Sequence, residues 1–120
     1  MTELIYSYTR KQALEDGVLV DISQLASEAG FRYPVAVSRA LWEGYIRPPA
    51  EGPEQSDTGK LWDVLNVLLW QIRRSESTER LTFQVLFRMG SRTVTADLIS
   101  VCGPGDEMEP VITIMLPGDD

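Results

Sequence analysis

The sequence predicts an α+β domain in which short N-terminal helices and one long amphipathic helix pack on a C-terminal three-stranded antiparallel meander. Three observations favour this fold class: a mid-chain apolar stripe of helical period, alternating apolar and polar residues in the last third, and glycine or proline at the junctions. The 120 residues suffice for one domain with its own core. We therefore expect a single domain over 1–120, divided into a helical N-terminal part (1–46), an acidic proline-rich loop (47–57), a central helix (58–74) and a β-meander (81–117).

The first short helix and the segment after it are predicted from local spacing. Thr9 and Gln12 have the spacing of a capping box, and Gly17 stands where a helix C-terminal glycine would. The intervening residues, Arg10–Asp16, are therefore expected to be helical. The β-branched run Val18–Ile22 that follows predicts a strand or an extended segment.

Two more short helices complete the N-terminal part, and the acidic loop follows it. Ser23 is expected to cap a helix over Gln24–Ala29, which Gly30 ends. A third helix is expected over Val37–Ile46. The loop that follows, 47–57, contains three prolines, one glycine and three acids, so it is either a flexible hinge or an acidic surface loop.

The central helix, Thr58–Arg74, has the most regular apolar pattern in the chain. One stripe is formed by Leu61, Leu65, Leu68, Leu69 and Ile72. Val67 and Trp70 fall on the opposite side, which gives the helix apolar groups on two sides. We expect that second side to be buried between the sheet and the N-terminal helices; the alternative is that Trp70 is exposed and anchors a partner.

The last third is predicted to be β-structure. Apolar side chains at every second position over Leu81–Phe87 indicate a half-buried strand, and Gly90 supplies a turn. Further strands are expected over Thr93–Val101 and Val111–Leu116. Three consecutive strands joined by short loops form an antiparallel meander, whose apolar face the central helix would cover.

The composition excludes several classes of site. The chain has no histidine and one cysteine, Cys102, which removes Ser-His-Asp and Cys-His nucleophiles, histidine zinc sites and internal disulfides. A net charge of −7 argues against direct binding to nucleic acid. The sequence shows no apolar run of membrane-spanning length and no export signal, and it has a single cysteine, so we expect a cytoplasmic protein. We expect no cofactor.

The acidic segment Gly103–Pro110 is the best candidate for a site. Asp106, Glu107 and Glu109 are weak candidates for oxygen ligands of Ca²⁺ or Mg²⁺, but they lack the ligand spacing of a calcium loop. We interpret the segment as a solvated acidic hairpin loop and predict no metal site. Cys102, just before it, is interpreted as a small buried hydrophobe.

Three stretches resemble a family of small acidic bacterial proteins of unknown function, carried on plasmids, integrative elements and phages. They are Tyr8–Ser23, Gly59–Leu65 and Cys102–Pro117, and together they cover most of the chain outside the loop. The resemblance implies no catalytic residues. It implies a context, because small acidic proteins of mobile elements are often anti-CRISPR or anti-restriction factors.

The leading hypothesis is a non-catalytic inhibitor that binds a protein partner, such as a host defence nucleoprotein complex, by occupying its basic nucleic-acid-binding surface. The residues expected to bind the partner are Glu51, Glu54, Asp57, Trp70, Asp106, Glu107, Glu109, Asp119 and Asp120. Two alternatives stay open. One is a small carboxylate- or metal-dependent enzyme or nucleotide-binding domain. The other is a homodimeric accessory protein that pairs through the second apolar side of the central helix.

Overall fold

A five-stranded mixed β-sheet forms the centre of the protein in a computed structural model, which describes residues 8–47 and 57–119. In chain order the elements are α1 (Arg10–Glu15), β1 (Leu19–Asp21), α2 (Ser23–Ala29), β2 (Val35–Ser38), α3 (Arg39–Leu41), a π-helical turn (Trp42–Ile46), α4 (Asp57–Arg74), β3 (Arg80–Met89), β4 (Arg92–Pro104) and β5 (Pro110–Met115).

The strand order in the sheet is β1-β2-β5-β4-β3. Strands β2 and β5 are parallel, and the other neighbouring pairs are antiparallel. The α+β class is confirmed. The sheet is larger than the predicted meander, however, because the N-terminal part contributes β1 and β2 beside the three C-terminal strands. The strand or extended segment expected over Val18–Ile22 is confirmed as β1. Strand β2 was not expected, so the description of residues 1–46 as a helical part is corrected.

Strand β2 was not predicted, and its last two residues overlap the start of the predicted third helix. Val37 and Ser38, the first two residues of that prediction, belong to β2, and the helix begins only at Arg39. All four residues of β2 are buried, so its sequence shows none of the alternation that marks a half-exposed strand. The Ser38 hydroxyl then caps α3 by accepting a hydrogen bond from the Leu41 amide (3.2 Å).

The first two helices have the capping residues that the sequence predicts, with one exception. The capping box of α1 is complete: the Gln12 amide donates to Thr9 Oγ1 and the Thr9 amide donates to Gln12 Oε1, each at 3.0 Å. Gly30 ends α2 with φ of 114°. The cap predicted at Ser23 is wrong, since Ser23 is the first helical residue and its hydroxyl donates to Asp21 Oδ1 (2.6 Å).

Helix α4 begins at Asp57, one residue earlier than expected. It covers one face of the sheet, here called the inner face. Its buried apolar residues pack with the alternate side chains of β3 in one core: Leu61, Val64, Leu65 and Leu68 with Leu81, Phe83, Val85 and Phe87. Val67 is partly buried against that core. Trp70 is 57% exposed, so its expected burial is wrong, and the open alternative, an exposed side chain, is what the structure has.

We predict that Leu68→Ala lowers the free energy of unfolding by about 2–5 kcal/mol, because Leu68 is fully buried and its loss leaves a cavity under α4. Asn66→Ala, an exposed position on the same helix, should change it by less than about 0.5 kcal/mol. Urea denaturation of both variants measures the difference. Equal effects would contradict the packing of α4 on the sheet.

Candidate functional site

The loop between β4 and β5 is a tight turn closed by Glu109. The Gly105 amide donates to the Glu109 carbonyl oxygen (2.6 Å), and Met108 adopts a φ of 67°. The Glu109 carboxylate folds back and accepts a hydrogen bond from the Glu107 amide (2.9 Å). A Cβ at Gly105 would lie 2.6 Å from the carboxyl carbon of Glu109, so a larger residue there would displace the Glu109 carboxylate. One of the three predicted loop acids therefore shapes the loop.

Asp106 in this loop caps the N-terminus of α1. Its Oδ1 accepts from the Arg10 amide (2.8 Å) and its Oδ2 accepts from the Lys11 amide (2.9 Å). These hydrogen bonds, the Lys11 amide first, hold the pKa of the Asp106 carboxyl below its usual value. The carboxylate is therefore ionised at neutral pH, and it ties the C-terminal hairpin loop to the N-terminal helix.

The Arg10 side chain makes the second connection between α1 and the sheet. Its Nη1 donates to Thr113 Oγ1 (2.8 Å) and its Nη2 donates to the Ile112 carbonyl oxygen (3.0 Å), both on β5. Burial lowers the pKa of Arg10, and the nearby carboxylates of Asp21, Asp106 and Glu109 oppose that shift. A guanidinium stays protonated under these conditions, so Arg10 is a fixed cation among acids.

These groups line one open hollow of about 450 Å³ between α1, β1 and the β4–β5 loop, here called the acidic hollow. Among the described residues, its charged side chains are four carboxylates and two cations: Glu15, Asp21, Asp106 and Glu109 with Arg10 and Lys11. Asp21 accepts from the Ser23 amide (3.0 Å), whereas Glu15 accepts no hydrogen bond from any residue in the described ranges. The hollow therefore presents an excess of negative charge on a preformed surface.

The other predicted acids lie elsewhere. Asp57, at the start of α4, pairs with Arg47 (Nε–Oδ2 2.9 Å). Asp119 Oδ2 accepts from the Ser38 hydroxyl (2.8 Å) and the Leu116 amide (3.0 Å), so it follows the end of β5 while the acidic hollow lies at its start. Asp119 is not among the residues that line the acidic hollow. Glu51, Glu54 and Asp120 lie outside the described residues.

Trp70 belongs to an exposed stripe of α4, here called the tryptophan face and made of Trp62, Asn66 and Trp70. Trp62 is 37% exposed and lies two turns before Trp70. The Arg74 guanidinium lies 4.3 Å from the centre of the Trp70 ring, within the range of a cation–π contact. An amphipathic ring with a cation stacked on it is a common contact in protein interfaces.

The arrangement does not favour a cation site. Across residues 8–47 and 57–119, no three cysteine, aspartate or glutamate side chains are grouped as metal ligands. Both oxygens of Asp106 accept backbone amides, and Glu109 closes its own turn, so neither weak ligand candidate points into a shared cage with Glu107. Nor does any helix in those ranges have the length and apolar character needed to cross a membrane.

Comparison with known proteins identifies a family but no activity. The model of a family of unknown function, DUF6573, matches residues 1–120. The chain belongs to this family. Membership of a family of unknown function was expected, whereas the origin of DUF6573 proteins on mobile elements stays a prediction. Neither the curated proteins nor the solved structures gave a match for this DUF6573 chain.

Sequence reasoning missed Arg10, Glu15 and Asp21 as members of the candidate site in this DUF6573 protein. The spacing around Thr9 predicted α1 but carried no information about what α1 packs against. Arg10 and Thr113 are 103 residues apart, so only the folded sheet brings them together. The acidic loop itself was predicted, and its position beside α1 was not.

We predict that Asp106→Asn lowers the Tm at neutral pH, because the amide side chain keeps only one acceptor oxygen for the Arg10 and Lys11 amides and has no charge to interact with the helix dipole. Since the pKa of Asp106 is lowered by folding, its stabilisation is complete above the unfolded value of about 3.9 and is lost as the pH falls below it. The Tm difference between wild type and variant should therefore shrink between about pH 5 and pH 2.

Glu107→Gln is the matched control, because the Glu107 side chain accepts no hydrogen bond in the described ranges. It should leave the Tm nearly unchanged across that pH range. Thermal melts of the three proteins at several pH values test the prediction. A Tm difference for Asp106→Asn that does not vary with pH would rule out the ionised cap.

Proposed function

We propose that this protein is a non-catalytic inhibitor that binds a protein partner and covers that partner's basic, nucleic-acid-binding surface. An anti-defence factor of the anti-CRISPR or anti-restriction type, carried by a mobile element, would act in this way. The observation that supports the proposal is the acidic hollow, where four carboxylates line one open surface.

The charge of the acidic hollow suits a basic partner. Carboxylates spaced over one surface can occupy sites that otherwise hold phosphates. Their field extends over about 8–10 Å at physiological ionic strength, which is enough to steer a basic surface into contact. The net charge of −7 adds a weaker attraction of the same sign. Direct binding to nucleic acid is disfavoured for the same reason.

The acid–base properties of the hollow support binding over catalysis. A carboxyl group that acts as a general acid at neutral pH needs a raised pKa, usually from burial in an apolar pocket. Asp106 has the opposite shift, because two backbone amides stabilise its ionised form. Asp21 is exposed and accepts hydrogen bonds from the Ser23 amide and hydroxyl. These are properties of fixed anions that attract a cationic surface.

The tryptophan face supplies an apolar contact of the kind that anchors protein interfaces. Tryptophan and arginine are enriched among the residues that carry most of the binding energy, and here Arg74 already stacks on Trp70. We assign the electrostatic part of partner binding to the acidic hollow. Trp70 lies on α4, on the other side of the sheet, so it would contact a second part of the partner.

The test is capture of partners from bacterial lysate by the full chain, with charge reversal in the acidic hollow and its loop. Glu15→Lys with Glu107→Lys changes two exposed acids whose side chains accept no hydrogen bond in the described ranges, so folding is preserved. We expect this double variant to lose nucleic-acid-binding proteins that the wild type retains. Those proteins should also be released by duplex DNA and by raising the salt from about 0.1 to 0.5 M.

Glu28→Lys with Glu76→Lys is the matched control, since both residues are exposed and the change in net charge is the same. It should retain the partners. Binding that is insensitive to salt, or that both double variants lose equally, would refute a role for the acidic hollow. Retention of no nucleic-acid-binding protein by the wild type would refute the proposed function itself.

The exposure of Trp62 and Trp70 favours a second candidate, a homodimeric accessory protein that pairs through the tryptophan face. Trp70→Gln should then convert a dimer into a monomer in light scattering. Leu86→Gln, which removes an exposed apolar side chain from the sheet, should leave the dimer intact. A wild type that is monomeric at high concentration would eliminate this candidate.

A further inference from the structure

A second concave site lies on the opposite side of the sheet from the acidic hollow. It is a cleft of about 280 Å³ between the C-terminal end of α4, the loop 30–33 after α2 and the inner faces of β4 and β5. Val111 lines the acidic hollow and Ile112 lines the cleft, and successive strand residues face opposite sides. The two sites are therefore separated by β5.

The walls of the cleft are set by how α2 ends. Gly30 adopts its left-handed φ of 114° there, which turns the chain toward the start of β2. A Cβ built on Gly30 would lie 3.6 Å from Leu69 Cδ2, so α2 ends in close contact with α4. Next, Tyr33 precedes a proline and is restricted to extended geometry. The loop 30–33 therefore lies beside α4 and forms one wall of the cleft.

The charge of the cleft is opposite to that of the molecule. Among the described residues, the charged side chains that line it are Arg32 and Arg73, in a chain whose net charge is −7. Both residues are exposed, and neither guanidinium has a hydrogen bond or ion pair with a described residue. No carboxylate from residues 8–47 or 57–119 lines the cleft. Two unpaired guanidiniums at one opening create a local positive potential that attracts an anion.

The interior of the cleft is largely apolar. Leu69 and Ile72 from α4 and Ile112 from β5 contribute apolar side chains and Cys102 its thiol, while Thr78 and Ser100 add hydroxyl groups. A volume of about 280 Å³ is at the lower limit for small-molecule sites, which usually span about 300–1,000 Å³. Such a space accepts a short alkyl chain or one aromatic ring, and it is too small for a nucleotide or a two-chain lipid.

We propose that this cleft binds a small carboxylic acid with an apolar body, such as a medium-chain fatty acid or a single-ring aromatic acid. The carboxylate lies between Arg32 and Arg73, which donate charge-assisted hydrogen bonds, and the apolar body lies against Leu69, Ile72 and Ile112. This site is independent of the acidic hollow, so the inference goes beyond the proposed function and does not rest on it.

The first test is an NMR titration of the full chain with octanoate, and with octanamide as an uncharged ligand of the same shape. We expect saturable shifts at the amides of Phe31, Cys102 and Ile112. Octanoate should bind about tenfold more tightly than octanamide, as charge-assisted hydrogen bonds predict. Shifts that do not saturate, that map to other residues, or that are equal for the two ligands would overturn the proposal.

Variants then separate the charge of the cleft from its shape. Arg32→Gln with Arg73→Gln should weaken octanoate binding to the level of octanamide. Arg32→Gln with Arg92→Gln makes the same change in net charge but keeps Arg73, and Arg92 stands at the β3–β4 turn, away from the cleft. That control should retain part of the preference for octanoate; equal loss in both double variants would overturn the assignment.

Filling the cleft gives an independent readout. Cys102→Leu should weaken binding of both ligands, whereas Cys102→Ser, which keeps the cleft open, should leave octanoate binding within about twofold of the wild type. The dispersion of the amide spectrum reports whether each variant is folded. Should Cys102→Leu fail to fold, the arginine variants still decide the proposal. Unchanged binding in a folded Cys102→Leu protein would exclude this cleft as the site.

Discussion

The pairing of β5 with strands from both halves of the chain is the constraint on which the rest of the structure depends. Its backbone pairs in parallel with β2 and antiparallel with β4, so its hydrogen-bonding groups are used on both sides. The Ile112 amide also donates to the Pro34 carbonyl oxygen (2.9 Å), and Arg10 reaches Thr113 and Ile112 from α1. Both candidate sites are built around this strand, one on each side.

This arrangement separates charges of opposite sign in a chain that is acidic as a whole. The carboxylates of the acidic hollow lie on the side of the sheet where α1 packs, and Arg10 is fixed among them. Arg32 and Arg73 lie on the side that α4 covers, at the mouth of an apolar cleft. Net charge alone predicts neither surface, because it averages over the two sides. The local fields decide which ligands each side attracts.

Local sequence patterns predicted the elements whose determinants are close in sequence. The capping box needs only Thr9 and Gln12, and the alternation of β3 needs only that one of its faces be exposed. Strand β2 carries no such pattern, because it is buried throughout and its parallel partner lies more than 70 residues away. Asp106 was predicted as an exposed acid; its role as a cap depends on amides 96 and 95 residues distant.

The structural roles of the loop acids and a role in partner binding are compatible. Each carboxylate oxygen has two lone pairs, so Asp106 can accept the Arg10 and Lys11 amides and still accept a donor from outside. Its internal hydrogen bonds keep it ionised and fix its orientation, which reduces the side-chain entropy lost on binding. Glu15, by contrast, has no described partner and must be ordered by whatever it contacts. A contact with Asp106 would therefore contribute more binding free energy than a contact with Glu15. Glu15 is nevertheless the easier residue to change without disturbing α1.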